Sequence, residues 1–283
     1  PFMPMIPVDI VLLLQDLEFG GTQRYALHLL KRLDRKRFSP RLWVLRGGRD
    51  MAPLARETGA PVTWLSRDAW VSPRALAALA LKLVRERPRV LYTLTVVPNT
   101  WGRVIGAVAR VPVIVSSWRN PQPRQYERLL WRLSSRVVAN SRVLAQELTS
   151  RHGVCPDRVV VVPNGVDADH FTPAPGLLDE EPRILYAGRL VERKDPLTLV
   201  QGFRLTLKRV PSARMDIVGN GPLKDRLARV IRRYRLESRV RLLPGCPDIR
   251  PHLRRAWIFA MTPVREASPN AVLEAMACGT PVA

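Results

Sequence analysis

The chain has 283 residues, of which 46% are hydrophobic, and a formal net charge of +22. This length predicts two domains with a core each, and this hydrophobic content excludes an intrinsically disordered protein. Three cysteines, far apart and odd in number, exclude a disulfide framework and a CxxC metal pair, so a reducing cytoplasm is the predicted compartment.

The positive charge predicts an anionic partner. Nucleic acid, an anionic membrane surface and a phosphorylated substrate are the candidates, and an arginine-rich compositional bias without a partner is the alternative. The sequence lacks zinc-finger spacing, RNP aromatics and a basic region followed by heptads, so nucleic acid is not an expected partner.

In the first part of the chain, apolar runs of strand length alternate with helical patterns, which predicts a parallel α/β domain over residues 1–163. The predicted strands lie at 8–14, 41–45, 89–95, 112–116, 136–139 and 158–162. The predicted helices lie at 22–34, 73–86, 99–110, 122–133 and 141–151. No run approaches the roughly 18 apolar residues that a membrane span needs.

Gly20, Gly21 and Thr22 follow the first strand and precede a helix. Glycines at such a turn allow the backbone to approach a phosphate or a sugar closely. A tight strand-to-helix turn without a ligand is the alternative interpretation.

Arg124, Arg128 and Arg132 recur every four residues in the predicted helix 122–133, so they share one face of it. With Tyr126 and Trp131 nearby, this pattern is typical of a basic amphipathic helix on an anionic membrane. A helix packed on the sheet, with its arginines in solvent, is the alternative.

Residues 164–182 break the alternation with proline, glycine and acidic residues, which predicts a linker. The alternation resumes in a second domain over residues 183–283. Its strands are predicted near 183–187, 213–218, 239–243 and 257–261, and its helices near 195–209, 222–235 and 269–278. Pro281-Val282 is predicted to begin another buried strand, so the chain is expected to be cut inside this domain.

The segment from Glu266 to Glu274 combines two carboxylates with a helix start. Ser268 is the predicted N-cap and Pro269 the first helical residue, so the backbone near Asn270 and Ala271 would form a small anion site. Carboxylates that hold hydroxyls, next to a site for phosphate, suit a phosphorylated sugar. An ordinary amphipathic helix with two solvated glutamates is the alternative.

Five motifs, in one order along residues 20–283, resemble those of the retaining GT-B glycosyltransferases of family four. They are Gly20-Gly-Thr-Gln-Arg24, Val161-Val-Pro-Asn-Gly-Val-Asp167, Ile184-Leu-Tyr-Ala-Gly-Arg-Leu-Val-Glu-Arg-Lys-Asp195, Val218-Gly-Asn-Gly-Pro-Leu223 and Glu266-Ala-Ser-Pro-Asn-Ala-Val-Leu-Glu274. The resemblance implies a GT-B fold, in which two Rossmann-like, doubly wound parallel-sheet domains face a cleft. It also implies that the second domain is incomplete here.

The resemblance assigns roles to several residues of the second-domain motifs. Arg189 and Lys194 would stabilise the departing diphosphate, and Glu266 would contact the donor sugar, so these three are the predicted catalytic residues. Glu274 would hold the ribose. The remaining predicted donor-binding residues are Asn270, Ala271, Gly219, Gly221 and Cys246, the last of them in a loop that resembles the one beside the base.

The first domain departs from the family pattern. Many family members carry a histidine after the strand that resembles Pro112–Ser116, where it meets the donor sugar. Here Ser117-Trp-Arg119 follows instead, so Arg119 is the predicted sugar contact in its place.

The resemblance implies transfer of a sugar from a UDP- or GDP-linked donor to a hydroxyl acceptor, with retention and without a metal or other cofactor. The acceptor, a saccharide or a lipid-linked molecule, would bind the first domain near Gly20–Thr22. Synthesis of cell-envelope polysaccharide or glycolipid is the setting expected by analogy, in the cytoplasm or on the inner face of the membrane. A GT-B nucleotide-sugar epimerase, a sugar phosphorylase, an inactive fragment and a basic nucleic-acid-binding module are the alternatives.

Overall fold

The computed structural model describes residues 6–119, 125–174 and 176–283. The chain divides into two compact units, residues 1–164 and residues 165–283. Each unit is built on its own parallel sheet. Together they form the two α/β domains of the GT-B architecture that the sequence predicted. No helix in the described segments is both long enough and apolar enough to cross a membrane.

Unit 1 contains a seven-stranded parallel sheet with the order β3-β2-β1-β4-β5-β6-β7. The strands are β1 Val8–Leu14, β2 Phe38–Val44, β3 Val62–Trp64, β4 Val90–Thr93, β5 Val113–Trp118, β6 Arg136–Ala139 and β7 Val159–Val161. The interior strand β1 reads as a nearly continuous apolar run because helices cover both faces of a parallel sheet. The short edge strand β3 was not predicted, since three residues carry too little pattern.

Helices cover this sheet in two layers. They are α1 Gly21–Arg32, α2 Ala52–Glu57, α3 Pro73–Glu86, α4 Arg103–Val108, α5 Glu127–Leu130 and α6 Arg142–His152, with a π-helical turn at Pro98–Gly102 before α4. One core layer joins β1 to Ala26, Leu30 and Ala55 of α1 and α2. The other joins the opposite face of the sheet to Leu79 of α3 and Ile105 of α4.

The predicted helix 122–133 forms in part within the described residues. Residues 127–133 are helical, as α5 and a 3-10 turn at Trp131–Leu133, and Arg124 lies outside the described residues. Glu127 of α5 points inward and forms an ion pair with Arg103, with both side chains fully buried. Two of the three arginines of the expected basic face are also engaged in hydrogen bonds. Arg128 donates to the Arg151 carbonyl at 3.3 Å, and Arg132 donates to the Arg128 carbonyl at 2.8 Å.

Unit 2 contains a four-stranded parallel sheet with the order β10-β9-β8-β11. The strands are β8 Arg183–Ala187, β9 Arg214–Val218, β10 Val240–Leu243 and β11 Ile258–Phe259. The helices are α7 Pro196–Thr206, α8 Lys224–Arg233, α9 Arg250–Arg255 and α10 Asn270–Ala277. Val282 forms a parallel bridge to Phe259, as expected for the start of a strand, but its side chain is 38% exposed rather than buried.

Candidate active site

In unit 2 the loop after the first strand carries the predicted cations. β8 ends at Ala187, and the chain then runs through Arg189 to a 3-10 turn at Glu192–Lys194. Asp195 takes a left-handed conformation and caps α7, accepting from Thr198 N at 3.2 Å and from Thr198 Oγ1 at 2.7 Å. This cap fixes the loop at the carboxyl end of the sheet, where parallel α/β proteins bind ligands.

Glu266 joins this loop to the segment that precedes α10. Its Oε2 accepts a hydrogen bond from Arg193 Nη1 at 2.9 Å and forms an ion pair with Lys194 Nζ. The backbones are also linked, because Val264 N donates to the Arg193 carbonyl at 3.1 Å and Thr262 Oγ1 donates to the Asp195 carbonyl at 2.7 Å. Two predicted catalytic residues, Lys194 and Glu266, are therefore brought together.

The electrostatics of this pair are set by burial. Lys194 and Glu266 are each 13% exposed. Burial lowers the pKa of the Lys194 ammonium, and the Glu266 carboxylate opposes that shift. Below the loop, burial and the charge of Glu266 raise the pKa of Tyr186, whose hydroxyl donates to the Arg189 carbonyl at 3.2 Å. A lysine held in this way is a cation of low hydration, so it interacts strongly with an anion that enters the site.

Arg189 lies in the same loop, and its side chain is exposed. Its guanidinium forms no hydrogen bond or ion pair within the described segments, although its charge lies close enough to lower the pKa of Lys194. The structure thus places Arg189 beside the Lys194–Glu266 pair but not in it. Arg193 was not predicted as a site residue. The only sequence signal for Arg193 was its position next to Lys194, because the sequence does not show which residue of this loop faces Glu266.

The glycines of the second motif have a packing role. A Cβ on Gly219 would overlap the carbonyl oxygen of Gly188, and one on Gly221 would lie 2.7 Å from the carbonyl carbon of Leu190. Leu190 N donates to the Asn220 carbonyl at 2.9 Å, which ties the two loops edge to edge. Their contact with a donor stays a prediction. The structure shows that these glycines let the β9 loop support the cation-bearing loop.

Helix α10 begins one residue later than predicted. Pro269, not Ser268, occupies the N-cap position, because its backbone is still extended, and Asn270 and Ala271 form the first turn. Glu274 lies within this helix and is 7% exposed, which agrees with its predicted place. Its role on a ribose stays a prediction.

Cys246 lies in the loop after β10, and its thiol donates to the Asp248 carbonyl at 3.2 Å. Its side chain is half-buried. Asn220 connects this loop to the neighbouring one, since its Oδ1 accepts from Gly245 N at 3.3 Å. The loops that follow β9 and β10, both predicted to lie on the donor side, are therefore joined by a hydrogen bond between the Asn220 side chain and the Gly245 backbone.

In unit 1, Gly20 is the N-cap of α1, and Gly21 and Thr22 form its first turn. The side chain of Gln23 folds back across Gly20, where a Cβ would overlap its amide, and donates to Asp16 Oδ1 at 2.7 Å. Because the end of the Gln23 side chain can move, this overlap does not by itself require glycine at position 20. A role in acceptor binding stays a prediction.

Arg119 follows β5, and it packs against Tyr25 of α1. Its guanidinium carbon lies 3.1 Å from the centroid of the Tyr25 ring, and its Nη1 donates to Asn164 Oδ1. Burial lowers its pKa, while Tyr25 and Tyr92 oppose the shift. Its Nε and Nη2 are inaccessible to solvent and have no hydrogen-bond partner among the described residues. These two atoms form the edge through which arginine binds phosphates and carboxylates in a bidentate manner.

Across residues 6–119, 125–174 and 176–283, no group of three His, Cys, Asp or Glu side chains has metal-binding geometry.

Profiles of two protein families match the chain. Glycosyltransferase Family 4 matches residues 19–170, which is more than half of the chain, and Glycosyl transferases group 1 matches residues 168–283. A D-inositol 3-phosphate glycosyltransferase of Pseudarthrobacter chlorophenolicus is 31% identical over 191 residues, which cover 60% of this chain and 44% of that protein. The chain spans about half the length of several curated relatives of this kind.

Two further proteins match nearly the whole chain. The lipopolysaccharide core biosynthesis glycosyltransferase LpsE of Rhizobium meliloti is 28% identical over 282 residues, covering 93% of this chain and 75% of that protein. The crystal structure of Anabaena Alr3699/HepE in complex with UDP and glucose superposes with a TM-score of 0.82 at 20% identity, covering 97% of this chain and 80% of that one. The second likeness shows the fold alone.

Proposed function

This chain belongs to Glycosyltransferase Family 4, and from that premise we propose that it transfers a sugar from a nucleoside-diphosphate donor to a hydroxyl acceptor with retention of anomeric configuration. The observation that carries the proposal is the pairing of Glu266 with Lys194 and Arg193 at the carboxyl end of β8. A carboxylate and two cations held in one place supply groups for both sugar hydroxyls and phosphate oxygens.

The chemistry follows from where charge develops. As the bond between the sugar and the diphosphate breaks, negative charge grows on the leaving phosphate. Arg189 is exposed and Lys194 is largely dehydrated, so both are suited to receive that charge. In this proposal they take the place that a metal ion has in other transferases. Glu266 contacts the sugar, and Glu274 contacts the ribose of the nucleotide.

The donor is proposed to be UDP- or GDP-linked. The complexes of HepE with UDP and with UDP-glucose support a uridine nucleotide by analogy. In unit 1, Arg119 is the proposed contact to the donor sugar, in the place where many family members carry a histidine. The turn Gly20–Thr22 is the proposed position of the acceptor.

The proposed acceptor is a saccharide or a lipid-linked molecule of the cell envelope, and the LpsE relative supports that setting. A cytoplasmic location fits Cys155, Cys246 and Cys278, which are thiols rather than disulfide-bonded. Because the net charge is +22, we include peripheral binding to an anionic membrane in the proposal.

A donor screen tests this function. UDP- and GDP-sugars are added singly, and the melting temperature is measured, because a ligand that binds only the folded state raises it. The donor that gives the largest shift is then incubated with acceptors, and the anomeric configuration of the product is read by NMR. An α-linked product from an α-linked donor is expected. An inverted product, or an epimerised nucleotide sugar formed without acceptor, would refute the proposal.

A further inference from the structure

The outer faces of α3 and α4 form one surface of unit 1. Both helices pack on the same side of the sheet, where Leu79 and Leu83 of α3 and Ile105 of α4 reach one core cluster. The two helices also contact each other. Because their inner faces share a core, their outer faces lie side by side.

Large apolar side chains are exposed on this surface. Leu81 and Val84 of α3 are 71% and 54% exposed, and Ala77, one turn earlier on the same face, is exposed too. Trp101 and Val108, near the two ends of the helical segment 98–108, are 48% and 80% exposed. Single exposed apolar residues are ordinary, but a group of them on adjoining helices is typical of an interaction site.

Cations outnumber acids around these residues, although the exposed Asp68, just before α3, interacts with Arg74. From Ala69 to Tyr126 the sequence contains nine Arg and Lys residues and a single acid, Glu86. That carboxylate is already engaged, because it forms ion pairs with Arg41 and Lys82. The exposed cations that border the apolar side chains are Arg74, Arg85, Arg87 and Arg110. We call this surface, from Arg74 to Arg87 around α3 and from Trp101 to Arg110 around α4, the α3–α4 surface.

We propose that the α3–α4 surface docks on an anionic phospholipid membrane. Apolar side chains among arginines suit the boundary between headgroups and acyl chains, where each arginine near the lipid contributes about 1 kcal/mol. A second copy of this chain would set arginine against arginine, which like-charge repulsion disfavours. The arginines of residues 124–132, which the sequence suggested as a membrane-binding face, are not part of this proposal. Arg128 and Arg132 are held by hydrogen bonds to backbone carbonyls.

This inference rests on the proposed membrane association, and vesicle flotation tests it on the whole chain. The vesicles are pure phosphatidylcholine, or phosphatidylcholine with about one-third phosphatidylglycerol. Two double variants alter the surface without touching the core: Leu81→Ser with Val84→Ser, and Arg74→Gln with Arg85→Gln. The matched controls lie in unit 2, with Leu205→Ser on α7, where the side chain is 55% exposed, and Arg229→Gln with Arg233→Gln on the exposed face of α8.

We expect wild type and both controls to float with the anionic vesicles and not with the neutral ones. The partition coefficient of each surface variant onto anionic vesicles should fall about tenfold or more. This is the effect expected from the loss of two arginines or of two apolar contacts with lipid. Equal flotation of the surface variants and wild type, equal flotation on neutral vesicles, or loss of a dimer in sedimentation in place of lipid binding would overturn the proposal. Transfer to a water-soluble acceptor, assayed in parallel, separates failure of the docking surface from failure of the proposed function.

Discussion

Lys194 and Glu266 form an ion pair in which each side chain is 13% exposed, and Arg193 donates to the same carboxylate oxygen at 2.9 Å. The carboxylate is therefore shared by two cations. If a diphosphate binds Lys194 and replaces its contact with Glu266, the hydrogen bond from Arg193 still holds Glu266 in place. This arrangement lets one residue contact phosphate and its partner contact sugar without leaving a buried charge unpaired.

The two loop cations are expected to act on the leaving group. Arg189→Ala or Lys194→Ala should lower kcat by on the order of 10²–10³, the scale for losing one pre-organised charge-stabilising group. Lys208→Ala, which removes an exposed lysine two residues after α7, is the control and should leave kcat unchanged. EDTA should also leave the rate unchanged. Near wild-type turnover in the Arg189→Ala, Lys194→Ala double variant, or loss of activity with EDTA, would contradict this assignment.

Substitution of the two glutamates should affect different kinetic parameters. Glu274→Ala should raise the KM for the donor with a smaller effect on kcat, because a ribose contact is similar in the ground and transition states. Glu266→Ala should lower kcat, because its contacts lie nearer the reacting carbon. Steady-state kinetics over donor concentration distinguish the two effects. The reverse pattern would show that the proposed roles of the two carboxylates are exchanged.

The lowered pKa of Lys194 predicts a decline of activity at alkaline pH. Only the ammonium form can stabilise the diphosphate, so kcat/KM should fall as pH rises through a pKa below the usual lysine value of 10.5. Glu266 raises the pKa of Lys194, so Glu266→Gln should move this limb to lower pH. Lys194→Arg should move it upward, because an arginine stays charged. A profile with the same alkaline limb in all three proteins would rule out Lys194 as the titrating group.

Local signals in the sequence predicted the regular elements well. The bounds of β1, α3 and β6 agree with their predictions, because each has a clear apolar pattern and α3 has a serine cap at Ser72 followed by proline. In the predicted helix 122–133, periodicity did not reveal that Glu127 points inward and meets Arg103 from another helix. For the same reason Arg193 was missed, since it meets Glu266 from 73 residues away in sequence.

The Arg103–Glu127 pair should dominate the local stability of unit 1. Arg103 Nη1 donates to Glu127 Oε1 at 2.8 Å, and both side chains are fully buried. Glu127→Gln should therefore lower the free energy of unfolding by about 3–5 kcal/mol, since it leaves a buried guanidinium without its counter-charge. Glu57→Gln, at an exposed position on α2, is the control. Urea denaturation measures both, and a loss below about 1 kcal/mol for Glu127→Gln would show that water reaches the pair.

The glycines of unit 2 offer a matched test of the loop packing that supports the site. Gly219 has no room for a Cβ against the Gly188 carbonyl, whereas nothing lies within 4 Å of a Cβ placed on Gly202 of α7. Gly219→Ala should separate the β9 loop from the cation-bearing loop and cost about 1–3 kcal/mol of unfolding free energy. Gly202→Ala should raise stability by about 0.5–1 kcal/mol, because alanine is the better helix former.

The same pair of variants distinguishes support of the loop from general destabilisation. Gly219→Ala moves the backbone on which Arg189 and Lys194 depend, so donor affinity should fall at temperatures well below its own melting point. Donor titration at a temperature where both variants are fully folded measures this directly. Donor affinity equal to wild type in folded Gly219→Ala would show that the two loops act independently, and Gly219 would then serve stability alone.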